Sequence, residues 1–217
     1  MITVSAYAQI PAFAQGLVRD LRVRWALEEA GIPYAARLLQ PGEKETAAYR
    51  ALQPFGQVPM FQDGDFVMFE SGAIVQHIAE RSPALSPSDP QARLRMNTWL
   101  FAALNSVEPA LESLIHIDVF FPDEAWAKER RPGAMAYAAK RLQGLTDWLD
   151  GREYLEDDRF TAADLLMTTV LRIARQTDLV TSVPVLDAYV RRCEARPAFH
   201  RALAAQMTPH EAATAAA

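Results

Sequence analysis

At 217 residues the chain can form one large domain or two small ones, with enough length to bury a real core. Half of it is hydrophobic and 23% is charged, while a formal net charge of -5 argues against nonspecific nucleic-acid binding, which normally uses a basic face. Its single cysteine, Cys193, excludes an internal disulfide and any multi-cysteine metal site, and no window approaches the roughly 18 apolar residues of a membrane span.

Met1-Ile2-Thr3-Val4 has neither a charged leader nor a long apolar stretch, so no secretory signal is expected and a cytoplasmic location is. Ile2 to Tyr7 alternates as a first strand, and Ala8 to Gly16, with Pro11, reads as a loop. Helical spacing from Leu17 or Val18 to Ala30 turns Leu21, Trp25 and Leu27 inward, leaves Arg22, Arg24, Glu28 and Glu29 to solvent, and stops at Gly31. Pro33 to Leu39 predicts a second strand and Glu43 to Leu52 a short helix.

The stretch from Pro54 to Arg81 organises the residues around it. Val58 to Gln62 and Phe66 to Phe69 flank Asp63-Gly64-Asp65, a hairpin signal. Pro59 cannot donate a ladder hydrogen bond, so a cis Val58-Pro59 turn into an edge strand is expected, leaving the Val58 backbone able to pair with an extended peptide. Ile74, Val75, Ile78 and Ala79 then recur at helical spacing behind Glu70, with Ser71 as the expected cap, and such a helix start favours a bound carboxylate. From spacing alone, an ordinary hairpin followed by a capped helix accounts for the same residues.

Ser82 to Pro90, with Pro83, Pro87 and Pro90 among three serines, marks a boundary. Beyond it, helices are predicted over Gln91 to Ile117, Pro132 to Leu149, Thr161 to Gln176, Pro184 to Arg196 and Pro197 to Gln206, with a frayed tail over Ala212 to Ala217. Thr161 and Asp164 have capping-box spacing, with Phe160 and Leu165 placed as a hydrophobic staple. Cys193, between Arg192 and Glu194 in an expected helix, reads as a passive structural thiol.

The order Gly-Gln-Val-Pro-x-Phe, Asp-Gly hairpin, Glu-Ser-x-Ala-Ile resembles the glutathione-binding half of the glutathione S-transferase family, and Phe160-Thr161-Ala162-Ala163-Asp164 resembles its helical domain. The resemblance implies an α/β plus all-α protein: a thioredoxin-like domain with a mixed sheet over residues 1–82, a linker over 83–90 and an all-helical domain over 91–217. It implies reduced glutathione as co-substrate, no metal, a small hydrophobic electrophile or peroxide as second substrate, and a homodimer. Glu70 and Ser71 match the pair holding the γ-glutamyl end, Val58 before Pro59 the residue whose backbone pairs with the cysteinyl part, and Gln57 a position reaching the glycyl carboxylate.

Val23 to Gly31 resembles the family's first helix, yet the position of the usual activating hydroxyl or thiol falls on Gly16-Leu17-Val18, and that of the family's tyrosine near Phe13. Counting from the strand instead reaches Tyr7, the first candidate for activating the thiol, with Arg19 second and backbone N-H groups alone as a third possibility. Asn105, Glu108, His116 and Phe120 are the candidate acceptor-pocket residues. The missing hydroxyl leaves open a second class, a noncatalytic glutathione-binding or protein-interaction module with the same fold. A third, a nucleic-acid or translation-factor accessory domain, is disfavoured by the acidic balance.

Overall fold

The computed structural model describes residues 1–156 and 159–215, with side chains as far as Thr208 apart from that gap. The chain divides into two compact units: Met1–Leu85 together with the segment from Ala195 onward, and Ser86–Glu194.

The first unit is built on a four-stranded sheet ordered β2-β1-β3-β4, from β1 (Ile2–Tyr7), β2 (Tyr34–Leu39), β3 (Met60–Asp63) and β4 (Phe66–Phe69). β1 runs parallel to β2, with Tyr7 opposite Leu39, and antiparallel to β3, with Val4 opposite Phe61. β3 and β4 form the expected hairpin, Asp63 facing Phe66 and Met60 facing Phe69. β3 starts at Met60 rather than Val58, since Pro59 has no N-H to give to the ladder; the Val58-Pro59 peptide is cis, as expected.

Helix α1 (Asp20–Ala30) begins later than its periodicity predicts, after a 3-10 turn over Ala12–Ala14. It ends where expected: Gly31 adopts φ 65°, and the Ile32 N-H reaches back to the Leu27 carbonyl at 3.0 Å. Leu21, Trp25 and Leu27 are buried, but Arg22 and Arg24 are buried too, at 3% and 2% exposure, against the expectation that they face solvent. Arg24 Nε donates to Asp20 Oδ2 at 2.7 Å, and its Nη1 to the Ala205 carbonyl at 3.2 Å. The expected helix over Glu43–Leu52 resolves into a 3-10 turn, Glu43–Glu45, and one α-turn, α2 (Ala47–Arg50), capped by Thr46. Helix α3 (Ser71–Glu80) follows β4.

The second unit is helical. The long helix predicted over Gln91–Ile117 is broken into α4 (Pro90–Ala102), a π-helical turn over Ala103–Val107 and α5 (Glu108–Ile115), followed by a second π-helical turn over His116–Phe120. Helix α6 (Ala125–Leu149) begins before its predicted start, and Pro132 lies inside it; the proline removes one i to i-4 bond but sits on an exposed face. Helix α7 (Ala162–Leu171) is buried along its whole length and leads into a 3-10 turn, Arg172–Ala174. Its capping box is formed as expected: Thr161 Oγ1 accepts from the Ala163 N-H, and Asp164 accepts from the Thr161 N-H at 2.8 Å. Helix α8 (Pro184–Glu194) carries Cys193, fully buried.

Helix α9 (Pro197–Ala215) runs past the predicted end at Gln206, and of the expected tail, residues 216–217 lie outside the described residues. It packs on α1, although the composition-based boundary groups it with the other C-terminal helices. Trp25 meets Phe199 edge-on at 4.8 Å, Arg196 makes a two-bond ion pair with Glu29, and Gln206 Nε2 donates to Asp20 Oδ1 at 2.6 Å.

Candidate functional site

Strand register alone gathers most of the expected residues at one end of the sheet. Because Met60 opens β3 opposite Phe69, which closes β4, the cis Val58-Pro59 turn and the Glu70-Ser71 pair emerge side by side. Tyr7 and Leu39 close β1 and β2 at this same end. Loops beyond strand C-termini are the usual ligand-binding edge of an open α/β sheet.

The cis-proline loop is held from below by a buried relay. A carbonyl can only accept, so the Tyr49 hydroxyl donates to Gln57 O at 2.7 Å. The Ser5 hydroxyl, 2.7 Å from Tyr49 Oη, must then be the donor to it, and Ser5 Oγ in turn accepts from the Met60 N-H at 2.7 Å. Proton order is thereby fixed from Met60 through Ser5 and Tyr49 to Gln57, on both sides of Val58-Pro59. Burial pushes the Tyr49 phenol above its ordinary range, which keeps the donor proton in place. On the outer side Gln53, also buried, accepts from the Phe55 and Gln57 N-H groups at 2.8 and 3.1 Å. Gly56 between them has φ 62°, and a Cβ there would stand 2.9 Å from the Lys44 carbonyl, so only glycine fits.

Glu70 reaches α3 with φ 68° and ψ 109°, the one non-glycine residue with positive φ among the described residues. Such a conformation costs of order 1 to 3 kcal/mol and persists where the surroundings impose it, commonly at ligand-binding positions. It also makes Glu70, not Ser71, the residue that precedes the helix: Ser71 is already helical, and instead of capping α3 its Oγ accepts from Arg22 Nη1 at 3.2 Å. The first intrahelical bond joins the Ile74 N-H to Glu70 O, so the N-H groups of Ser71, Gly72 and Ala73 have no acceptor within α3.

Tyr7 is half-buried against a cluster of Leu39, Tyr49, Val58 and Met60, and the Lys44 ammonium lies 5.8 Å from its ring centroid. It borders a cavity of about 490 Å³ shared with Gln9, Ile10, Pro11, Leu39 and Lys44. Arg19 is the residue immediately before α1. From Ala8 to Arg19 the loop holds no serine, threonine, tyrosine or cysteine, and it is ordered by bonds such as Leu17 N-H to Ala14 O at 2.9 Å.

The acceptor candidates all lie in the helical unit. Asn105 and His116 are exposed, and His116 is 5.3 Å from both Phe120 and Phe121, nearly parallel to the latter ring. Phe120 is 55% exposed. Glu108 is buried at the start of α5 and cannot line an open surface with them. Each residue of an α-helix advances about 100°, so the residue added by the π-turn over Ala103–Val107 rotates the later positions away from the face that an unbroken helix predicts. Sequence reasoning missed Ser5, Tyr49, Gln53 and Arg22; Ser5 and Arg22 meet partners 55 and 49 positions away, which local spacing does not signal.

A thioredoxin-like sheet followed by an all-helical region defines the class of protein. Comparison with known proteins supplies the family. The N-terminal domain of glutathione S-transferase matches residues 8–80 and its C-terminal domain residues 110–197. A glutathione S-transferase of Hyoscyamus muticus is 30% identical over 176 residues, 76% of this chain and 82% of its own length, and glutathione S-transferase 3 of Zea mays is 30% identical over 209 residues, 87% and 90% respectively. Among solved structures, glutathione transferase F7 of Populus trichocarpa superposes with a TM-score of 0.82 at 20% identity, covering 95% of this chain and 99% of that one. The theta class glutathione S-transferase of Xanthomonas axonopodis pv. citri, solved with glutathione bound, gives 0.76 at 26% identity, covering 93% and 96%. The chain belongs to the glutathione S-transferase family and is an enzyme of the glutathione transferase class.

Proposed function

We propose that this protein binds reduced glutathione at the strand C-terminal edge of its sheet and activates the thiol for attack on a small hydrophobic electrophile, or for reduction of a peroxide or disulfide. The observation that carries the reading is Glu70: a carboxylate held in a costly backbone conformation between a strand and a helix start, beside the cis Val58-Pro59 turn. The Glu70 carboxylate takes the γ-glutamyl ammonium, while Ser71 and the first N-H groups of α3 take the neighbouring carboxylate. The Val58 backbone pairs with the cysteinyl residue as an added strand would, and Gln57 reaches the glycyl carboxylate.

In conjugation the thiolate sulfur forms a bond to the electrophilic carbon, the leaving group departs with its electron pair, and the thiol proton passes to solvent. The protein's part is to lower the thiol pKa, by a hydrogen bond from Tyr7 or by the charge of Arg19. His116 and Phe120 supply an apolar surface with one proton-bearing group for the second substrate. A homodimer in the cytoplasm, with the α/β domain over 1–82, is part of the same proposal.

The absence of any hydroxyl or thiol side chain from Ala8 to Arg19 favours one competing reading, a glutathione-binding module without catalysis. Calorimetric titration with reduced glutathione, paired with ultraviolet measurement of thiolate against pH, decides between them. Binding with a thiol pKa at least one unit below that of free glutathione is expected. Binding without that shift sinks catalysis, and no binding sinks both readings.

A further inference from the structure

Arg22 lies near the start of α1, 49 positions before Ser71 in sequence, yet its Nη1 donates to the Ser71 hydroxyl at 3.2 Å with both side chains buried. We infer that Arg22 is a positioning residue for glutathione: by donating to Ser71 Oγ it turns the serine proton outward, toward the carboxylate of the γ-glutamyl group. This rests on the glutathione reading proposed above and adds a residue to it.

A serine hydroxyl has one proton and two acceptor sites. A cationic donor seated on an acceptor site repels the hydroxyl proton from its own side, so the O-H must point away from α1. The same cation polarises the hydroxyl and makes it a stronger donor to an anion than a serine bonded to neutral groups. Ser71 is also the first residue of a ten-residue helix, whose leading N-H groups carry a partial positive charge of the same sign as the guanidinium. Charge from below and dipole from beside therefore both draw an anion to one point, the serine proton. Had Ser71 capped α3, as its sequence position suggests, its oxygen would have been spent on an N-H of its own helix. The positive φ of Glu70 prevents that and leaves the hydroxyl to be set by Arg22.

The test is a cycle on the native fold, read by calorimetry with two probes: reduced glutathione, and its analogue in which the γ-glutamyl α-carboxylate is a primary amide. Arg22→Gln should weaken glutathione binding about tenfold or more, the scale of a charge-assisted hydrogen bond. In a Ser71→Ala background the same substitution should cost less than twofold, and the amide analogue should bind wild type and Arg22→Gln alike within twofold. Arg22→Lys should recover part of the loss. An undiminished effect of Arg22→Gln in the Ser71→Ala background, or on the amide analogue, overturns the inference while leaving the glutathione site standing. Failure of the unaltered protein to bind glutathione overturns the site and the inference together. Should the Arg22 variants not fold, a crystal structure of the unaltered protein with S-hexylglutathione decides: Ser71 Oγ within hydrogen-bond distance of both Arg22 and the ligand carboxylate supports the assignment, and Arg22 withdrawn beyond hydrogen-bond reach refutes it.

Discussion

Tyr49→Phe is the sharpest probe of how the binding edge is held. The substitution keeps the ring in the cluster with Leu39, Val58 and Met60 and removes only the oxygen that joins Ser5 to Gln57. Two bonds of 2.7 Å are lost, each worth about 1 kcal/mol net, and Ser5 keeps its bond from the Met60 N-H. The expected loss is about 2 kcal/mol, visible as a lower urea midpoint with an unchanged m-value. The Gln57 carbonyl is then no longer fixed, so the Val58 backbone loses its preset orientation and glutathione affinity should fall by several-fold beyond any effect of stability. Ser5→Ala breaks the relay at a different atom and strands the Met60 N-H as well, so it should cost more than Tyr49→Phe. The double variant should cost clearly less than the sum, because the Ser5 to Tyr49 bond is shared. Strict additivity of the two, or a Tyr49→Phe protein within about 0.5 kcal/mol of wild type and binding glutathione equally, would refute the relay.

Two further substitutions test the strained and the buried carboxylate. Glu70→Gly relieves a positive φ that costs a non-glycine residue about 1 to 2 kcal/mol, so stability should hold or rise by up to about 1 kcal/mol while glutathione affinity drops at least tenfold; a loss of stability above about 1 kcal/mol in urea titration would contradict the strain argument. Asp164, which accepts from Leu155, Thr161 and Tyr189, has its carboxyl pushed by burial from an ordinary 3.8 up to about 6. The fold thus favours the protonated form, and the stability linked to it is fully present below pH 3.8 and lost as pH rises through 6, amounting to about 3 kcal/mol at about 1.36 kcal/mol per pH unit. The stability of wild type relative to Asp164→Asn should therefore decline between about pH 4 and 7, and a flat difference across that range would show that Asp164 does not titrate there.

Features written in short stretches of sequence were legible from the residues alone. Asp63-Gly64 announced a hairpin whose strands pair Asp63 with Phe66, Val58-Pro59 announced a cis turn, and Thr161 with Asp164 announced a capping box. Each depends on neighbours only a few positions away. Where the sequence misled, a deciding partner was remote: Arg24 is met by the Ala205 carbonyl as well as by Asp20 one turn away, and Arg22 by Ser71 of α3. Periodicity assigns every arginine to solvent, since it registers the cost of burying a charge and not the partner that offsets it. The first π-turn did have a signal that periodicity passes over: Pro109, in the first turn of α5, has no N-H to donate to Asn105, so the α-helical ladder cannot run unbroken there. The second, His116–Phe120, contains neither glycine nor proline and leaves the apolar spacing before it unchanged.

The same distinction separates the residues proposed to hold glutathione from those proposed to activate its thiol. The proposed holding residues lie at one end of the sheet, where strand register fixes Val58 beside Glu70 and leaves little freedom of placement. The groups proposed to activate the thiol flank the loop between β1 and α1, whose path is set by turns over Ala12–Ala14 and at Gly16 rather than by a ladder. Its residues from Ala8 to Val18 offer only backbone N-H groups and the Gln9 and Gln15 amides as donors, leaving the polar side chains at its two ends, Tyr7 and Arg19, as the candidates. They imply different chemistry. A phenol donating to sulfur lowers the thiol pKa through one directional bond, so Tyr7→Phe would remove the effect at any ionic strength. A guanidinium acts through its charge, so an Arg19-dependent shift would shrink as salt is raised wherever solvent reaches the site. The salt dependence of the bound thiol pKa therefore discriminates between the two before either residue is altered.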